Sequence, residues 1–472
     1  MSAVAASLRL EDLAVDPYPH LAELRSEAAA LWAPNLDMWV LAGYDDVVSV
    51  LRDPERFTND SPKSLIQATF GRQMLSVQGE EQKRYKQACL APFTSKASRE
   101  VWQPRVDRLC GELLEARERT AAGGAAEVDL MADYAAPIAL ETMGIVVGLP
   151  SNDLPRVRAW YEVFARSLAN FEGDAGLHRV GQEAAAAMRE YLAERLDGQQ
   201  PAGETGRGTL IEVLTGPGGT LARSEVLANL LIVLFGGIET TESMIGNALH
   251  YLLSEPGLLA AMLDSRNEGE AAFLAAVEDV MEESLRYDPA VQTLTRHTTA
   301  AVRFGNAKIA AGETVQCMVG GANRDPTVFE DPERFKPGRA NVRKHLAFGL
   351  GNHFCLGAQL ARAETRSALR TLLERWPGVE FDRCVFATAL RARVPQARPS
   401  RRAIVPSGRT TKKHLRKGGE KGPAVQGSST RAREIPRTSD GPPQRLGGVA
   451  PSLPGGLGHS PINASRRSSR AS

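Results

Sequence analysis

The sequence predicts a mainly α fold with small β-sheets, built as one large domain. Three observations carry that expectation. Apolar residues recur at helical spacing over most of the first 380 or so positions. The longest such run, Ser224 to Leu253, would reach about 45 Å at the usual helical rise, enough to cross a whole domain. Strand-like runs are short and gather between residues 301 and 319.

Taken in order, Asp16-Pro17-Tyr18-Pro19 opens a helical stretch, Trp39-Val40-Leu41 reads as a short strand, and Val47-Val48-Ser49-Val50-Leu51 as a helix. Residues 60–78 show no clear period and read as a loop. Helical patterns occupy 82–118, 129–148, 153–171 and 178–195, followed by a Gly- and Pro-rich connector at 198–219. Ser224 is the expected N-cap of the central helix, with Glu225 in its first turn. Glu239, Thr240, Thr241, Glu242, Ser243 and Asn247 make this helix unlike a membrane span. Asp279 to Tyr287 closes another helix, broken at Asp288-Pro289. Strands are expected at 301–304, 307–309 and 314–319, and strong helix formers run from Ala358 to Glu364. No internal repeat is evident.

The chain has 472 residues, 43% of them hydrophobic, sufficient for a substantial core. Its formal charge of +1 conceals an asymmetry. Residues 401–472 carry 15 Lys and Arg against 3 Asp and Glu, with no aromatic residue and no cysteine. The remainder has 42 basic and 53 acidic residues. The division expected is therefore a domain over 1–394 and a basic, low-complexity tail over 395–472, disordered because it has too little apolar surface to offset the entropy of ordering. A charge run of this kind is usually a solvated segment, so nucleic acid is not expected as a partner. Five scattered cysteines, Cys89, Cys110, Cys317, Cys355 and Cys384, do not resemble a disulfide framework and imply a reducing compartment. The N-terminus has neither a long apolar run nor a signal-peptide layout. A cytoplasmic protein without a membrane anchor is expected.

Chemistry concentrates in Phe348-Gly349-Leu350-Gly351-Asn352-His353-Phe354-Cys355-Leu356-Gly357. A thiolate is the form of cysteine that binds metal, and a helix N-terminus favours its negative charge. Cys355 directly precedes the helix-forming run at 358–364. The glycines allow positive φ and a close backbone approach to a planar ligand, while Phe348 can shield the sulfur from water. The plainer readings are a buried small hydrophobe or a zinc site. Zinc needs a second ligand pair that a lone His-x-Cys lacks.

Six positions of this stretch, Phe348, Gly349, Gly351, His353, Cys355 and Gly357, match the haem-binding signature of the cytochrome P450 haem-thiolate monooxygenases, a match expected by chance roughly once in 10⁸ starting points at average residue frequencies. The chain resembles the soluble bacterial type of that family from about residue 16 to 382. The resemblance implies haem b as cofactor, with Cys355 as axial ligand of the iron and His353 hydrogen-bonded to a haem propionate. Gly236-Gly237-Ile238-Glu239-Thr240-Thr241 looks like the family's oxygen-activation motif, in which Thr240 would stabilise dioxygen and Glu239 would connect the site to solvent protons. Arg296 matches an arginine that pairs with a propionate. Gln82 and Lys86 stand where the family often has His-x-x-x-Arg, so Lys86 would neutralise a propionate as a point charge without the bidentate geometry of arginine.

Glu283-Ser284-Leu285-Arg286 matches the Glu-x-x-Arg motif, and Phe329-Glu330-Asp331-Pro332-Glu333-Arg334-Phe335 resembles the meander that would bring Arg334 to Glu283 and Arg286 as a structural network. Ala322-Asn323-Arg324-Asp325-Pro326 fits the same pattern. The segment after Asp382 does not follow the family's C-terminal hairpin. The function implied is insertion of one oxygen atom from dioxygen into an apolar small-molecule substrate. Electrons would come from a ferredoxin or flavodoxin with its NAD(P)H-dependent reductase, since no flavin or dinucleotide segment is seen. Lys83, Arg84, Lys86, Arg343, Lys344 and Arg362 are candidates to steer an acidic donor. Leu234, Phe235, Val291, Leu294 and the 60–78 segment are candidates to line the pocket. Two alternatives stay open: a peroxide-driven or non-oxidative member of the fold, and a haem-binding protein without turnover because of its altered C-terminus.

Overall fold

The structure is a computed structural model that describes residues 2–120, 126–170, 174–198, 208–383 and 402–405. The chain divides into two compact units, Met1–Arg409 and Thr410–Ser472, and every described residue belongs to the first. The tail expected at 395–472 lies outside the described residues except for Arg402–Val405, which forms a strand.

Helices dominate, and the strands are β1 (Leu31–Ala33), β2 (Met38–Leu41), β3 (Phe57–Thr58), β4 (Ala126–Asp129), β5 (Thr293–Thr298), β6 (Val302–Phe304), β7 (Ala307–Ile309), β8 (Thr314–Met318), β9 (Glu380–Arg383) and β10 (Arg402–Val405). The largest sheet runs β1-β2-β8-β5-β3, with β2 and β8 parallel and the other pairs antiparallel. A second sheet runs β4-β10-β9, and β6 pairs with β7. Strand β10 thus belongs to a stretch that composition assigned to the tail. The expected strands at 301–304, 307–309 and 314–319 are present as β6, β7 and β8, whereas β1, β3, β4, β5, β9 and β10 were not anticipated. In β5 the buried residues are the consecutive Arg296, His297 and Thr298, so it has no alternating apolar pattern to read.

Several helix boundaries shift for local reasons. The pattern over 82–118 divides into Gly79–Cys89 and Gln103–Thr120 around a tight turn at Ala91–Phe93. Pro92 lies in that turn and its carbonyl accepts from Trp102 Nε1 at 2.7 Å, which closes the corner. Residues 60–78 contain the helix Leu65–Phe70, capped where the Ser64 hydroxyl accepts from Gln67 N. The connector contains Leu210–Thr215, opened by a capping box between Thr209 and Glu212. The central helix begins at Arg223, one residue before the expected cap, because the Glu225 carboxylate folds back onto Ala222 N at 2.8 Å. It divides at Ile238 into Arg223–Gly237 and Glu239–Ser254. The run Arg223–Ser254 is long and apolar enough to cross a bilayer, yet most of it is buried inside the protein.

The core has two main parts. One packs Phe70, Trp102, Tyr161, Phe164, Leu230, Leu231 and Phe235, and the other packs helix Glu270–Tyr287 with Ala358–Arg375 and Glu239–Ser254 through Met244, Val277, Met281, Leu369 and Leu372.

Beside this second core lies the buried charge network. Arg286 and Glu283 are fully buried and pair in bidentate fashion at 2.7 and 2.8 Å. Arg286 also donates to the carbonyls of Asn323, Pro332 and Arg334, so all five guanidinium N–H groups are used. The expected contribution of Arg334 needs correction. Its side chain is exposed and only its carbonyl enters the network, while Arg339 Nε reaches Glu283 Oε1 at 3.0 Å. A guanidinium at position 339 has the reach because Gly338, at φ +82°, turns the chain back toward Glu283.

Arg339→Met should therefore destabilise the fold by about 3 kcal/mol, since it removes one partner of a fully buried carboxylate. Arg334→Met should change stability by less than about 0.5 kcal/mol. Urea unfolding of the two variants checks this, and equal losses would place the Arg334 side chain in the network after all.

Candidate active site

The cysteine loop is closed by its own backbone. Cys355 N donates to the Phe348 carbonyl at 2.9 Å, Gly349 N to Leu346 at 2.8 Å, and Phe354 N to Gly351 at 3.0 Å. Gly349 and Gly351 adopt φ of +68° and +71°, and a Cβ at Gly351 would lie 2.7 Å from the Leu51 carbonyl. The loop ends where helix Ala358–Arg375 begins. Phe348 packs with the core that includes Met244 and Ile245, and Leu356 with the one that includes Leu234, Phe235 and Ile238. The two ends of the loop are thus anchored on the two main cores, each of which also takes residues from one half of the central helix. Among the described cysteines Cys355 is the exposed one, while burial pushes the thiols of Cys89, Cys110 and Cys317 up to about 12.

His353, Arg296 and Lys86 come together beside the loop. Burial, then the cations of Arg296 and Lys86, holds the His353 imidazole down at about 3, so it is neutral. Its Nε2 lies 3.0 Å from Gln78 Oε1, a partner that sequence reasoning missed because glutamine at a helix start carries no signal. Arg296 is buried on β5, and its side-chain hydrogen bond is to the Thr295 carbonyl at 2.8 Å. No carboxylate pairs with it among the described residues. The Lys86 ammonium donates to the carbonyls of Asn352 at 2.9 Å and Phe354 at 2.8 Å. Gln82, one turn earlier on the same helix, donates to the same Asn352 carbonyl at 2.9 Å. Both side chains hold the cysteine loop because helical i,i+4 spacing stacks them on one face.

On the central helix the two glycines act differently. A Cβ at Gly237 would meet Met143 Sδ at 2.3 Å, so glycine permits the close approach to helix Ala136–Val147, whereas nothing lies within 4 Å of one at Gly236. The Thr240 hydroxyl donates back to the Gly236 carbonyl across the break. Glu239 Oε2 accepts from Tyr161 Oη at 2.6 Å, and Glu242 pairs with Arg158 at 2.7 Å. Of the pocket candidates, Leu234 and Phe235 are buried, Val291 is half-buried, and Leu294 packs with the cluster containing Leu346 and Leu350.

These residues fit a haem. A buried guanidinium without an anion is costly, and Arg296 would be satisfied by a propionate. The thiol of Cys355 is accessible although the helix it precedes is core, and Gly236 leaves open space on an otherwise buried helix.

A family profile described as Cytochrome P450 matches residues 175–377. Cytochrome P450 monooxygenase PikC of Streptomyces venezuelae is 34% identical over 382 residues, 79% of this chain and 86% of that protein. The chain belongs to the cytochrome P450 family. Cytochrome P450 107B1 of Saccharopolyspora erythraea is 32% identical, covering 74% of this chain and 84% of that one. The crystal structure of CYP164A2 from Mycobacterium smegmatis matches 84% of this chain and 97% of its own with a TM-score of 0.70 and 28% identity. This P450 is accordingly a haem-containing oxidoreductase of the monooxygenase class.

Its helix Ala358–Arg375 is anchored by Arg362, which donates to Glu282 at 2.5 and 3.2 Å and lies 4.5 Å over the Phe348 ring. Buried as it is, Arg362 does not belong to the surface charges that could steer a donor. Burial raises the Glu282 carboxyl, but hydrogen bonds from His345 and Arg362 outweigh it and hold the group at about 2. A depressed carboxyl contributes stability above its unfolded value near 4.5 and loses it as pH falls through the folded value. Stability should thus drop between about pH 4.5 and 2, by on the order of 3 kcal/mol. Burial lowers His345 as well, so the proton that the unfolded chain takes up below 6.5 adds loss of the same sign. Arg362→Gln should flatten this acid limb in denaturation measured against pH, and an unchanged limb would refute the assignment.

Proposed function

We propose that this P450 contains haem b ligated by Cys355 and inserts one oxygen atom from dioxygen into an apolar small molecule, using electrons from a ferredoxin or flavodoxin and its NAD(P)H-dependent reductase. The observation that carries the reading is the acid and alcohol at the break of an otherwise apolar core helix, Glu239 and Thr240, in a chain whose exposed cysteine opens another core helix. A cytoplasmic setting agrees with scattered cysteines, three of them buried thiols.

Bound through a thiolate, haem supplies oxygen chemistry in which the ligand's electron density favours O–O cleavage, as is general for cysteine-ligated haem in this family. The chain supplies the rest. Arg296 would neutralise a propionate with a fixed fork, and His353 would hydrogen-bond a propionate beside it. Thr240 exchanges its hydrogen bond to the Gly236 carbonyl for one to the oxygen substrate, and Glu239 passes protons inward from solvent. Phe70, Phe164 and Phe235 pack ring against ring at 5.2 to 6.0 Å, which supports an apolar pocket wall near the helix Leu65–Phe70. An acidic electron donor would meet Lys83, Arg84, Arg343 and Lys344, of which the first three are already paired with Glu80, Glu225 and Glu278. Steering therefore rests mainly on Lys344 and the half-buried Lys86.

The reduced carbon monoxide complex should show the red-shifted band of thiolate-ligated haem, and Cys355→Ser should abolish it; retention of the band would reject Cys355. Thr240→Ala should keep the band but divert electrons from product to peroxide. Turnover with a surrogate ferredoxin system, set against peroxide alone, tests the donor. Faster product formation with peroxide would favour the peroxide-driven alternative.

A further inference from the structure

Proton delivery through Glu239 requires its carboxylate to be held in one place, and a neighbouring helix supplies the group that does so. Helix Leu154–Leu168 meets the start of Glu239–Ser254 through two matched pairs. Tyr161 Oη donates to Glu239 Oε2 at 2.6 Å, and Arg158 Nη1 donates to Glu242 Oε2 at 2.7 Å. Each helix presents its two members three residues apart, so they lie one turn apart on a single face. The pairs are not equivalent. Arg158 also binds Glu162 at 2.9 Å and ties the two helices together as an ion pair. Tyr161 adds a bond that ends on the acid itself. No ion pair to Glu239 exists among the described residues.

The phenol is in turn fixed by its ring. Tyr161 is 2% exposed, and its ring lies 5.3 Å from that of Phe164 and 6.0 Å from that of Phe235. Phe70 closes the group at 5.2 Å from Phe164 and 5.4 Å from Phe235. A ring so enclosed has little rotational freedom, so its hydroxyl is pre-aimed at Glu239 and the bond forms without an ordering cost at the time of reaction. Phe235 sits three residues before Ile238, where the central helix breaks. The same aromatic group thus joins the helix that leads into the break to the helix that holds the acid.

We propose that Tyr161 is the positioning residue for Glu239: its hydroxyl holds the carboxylate at the break of the central helix in the orientation from which protons pass inward. Tyr161 keeps its own proton and does not act on substrate. The proposal rests on the proton-delivery role given above to Glu239.

The test uses the haem-loaded enzyme with substrate and a surrogate ferredoxin system, in wild type, Tyr161→Phe, Glu239→Ala, the double variant and Arg158→Lys. Tyr161→Phe removes one oxygen atom and keeps the ring, so the carbon monoxide band and KM should stay at wild-type values. Product formed per electron consumed should fall by about three- to tenfold, the loss of one hydrogen bond, and the solvent deuterium isotope effect on turnover should rise. In the Glu239→Ala background the substitution should add nothing, either to that loss or to the fall in thermal midpoint. Arg158→Lys loosens the same helix pair at Glu242 and Glu162 while keeping a cation near the Tyr161 ring, over which the Arg158 guanidinium lies at 5.9 Å, and should leave the isotope effect unchanged. The proposal is overturned if Tyr161→Phe is silent while Glu239→Ala is impaired, if the two losses add in full, or if Arg158→Lys raises the isotope effect equally. A Glu239→Ala enzyme that couples normally would instead remove the role of Glu239, and the proposal with it.

Discussion

Two adjacent carboxylates, Glu282 and Glu283, hold the proximal half of this protein together. Consecutive helical residues point roughly 100° apart, so one helix can grip two different segments from neighbouring positions. Glu283 takes Arg286, Arg339 and the backbone N–H of Lys336, which fixes residues 330–339. Glu282 takes His345 and Arg362, which fixes both sides of the cysteine loop. The Glu283 network continues through Asn323, whose carbonyl accepts from Arg286 and whose Oδ1 accepts from Leu346 N at 2.7 Å, beside the His345 that Glu282 holds. Leu346 in turn accepts from Gly349 N inside the loop. An unbroken series of hydrogen bonds therefore runs from a fully buried ion pair to the residues around Cys355. Buried ion pairs contribute little net stability compared with apolar packing, but they are strongly directional. Their value here is that the loop has one geometry.

How much of this could be read from the sequence depended on whether the signal was local. The cysteine loop, its glycines and the helix behind it are contiguous, so the motif was legible, while the groups that hold the loop from outside, Gln82, Lys86 and Asn323, are far away in sequence. The Glu-Arg pair at 283 and 286 was legible for the same reason, since i,i+3 spacing is a helix property. Its third member was not. Arg334 and Arg339 lie on one irregular segment, and the choice between their side chains depends on the turn at Gly338, which composition does not encode. Arg296 was anticipated by its place in a resemblance, while the strand beneath it was not, because three consecutive buried residues give no period. Tyr161 and Gln78 are 78 and 275 residues from their partners Glu239 and His353, beyond the reach of any spacing argument.

The central helix illustrates a conflict between packing and function. Its apolar run would be most stable as an uninterrupted helix. Gly236 and Gly237 weaken it by about 1 kcal/mol each relative to alanine, and the backbone at Ile238 departs to ψ −75°. What compensates is tertiary. Gly237 lets Met143 approach, Thr240 closes the gap through the Gly236 carbonyl, and the bonds from Arg158 and Tyr161 pin the second half just past the break. The opening is thus held from outside, and the space at Gly236 persists without a side chain to support it.

Lysine at position 86 carries the same logic to the other side of the loop. Arginine there would present a planar fork suited to one carboxylate. Lysine presents three donors on a flexible stem, and here two of them bind carbonyls on either side of His353, at Asn352 and Phe354. Burial lowers the Lys86 ammonium, and Cys355 opposes that shift. One residue therefore fixes the loop's backbone on both sides of His353, from a helix that also brings Gln82 to the same Asn352 carbonyl.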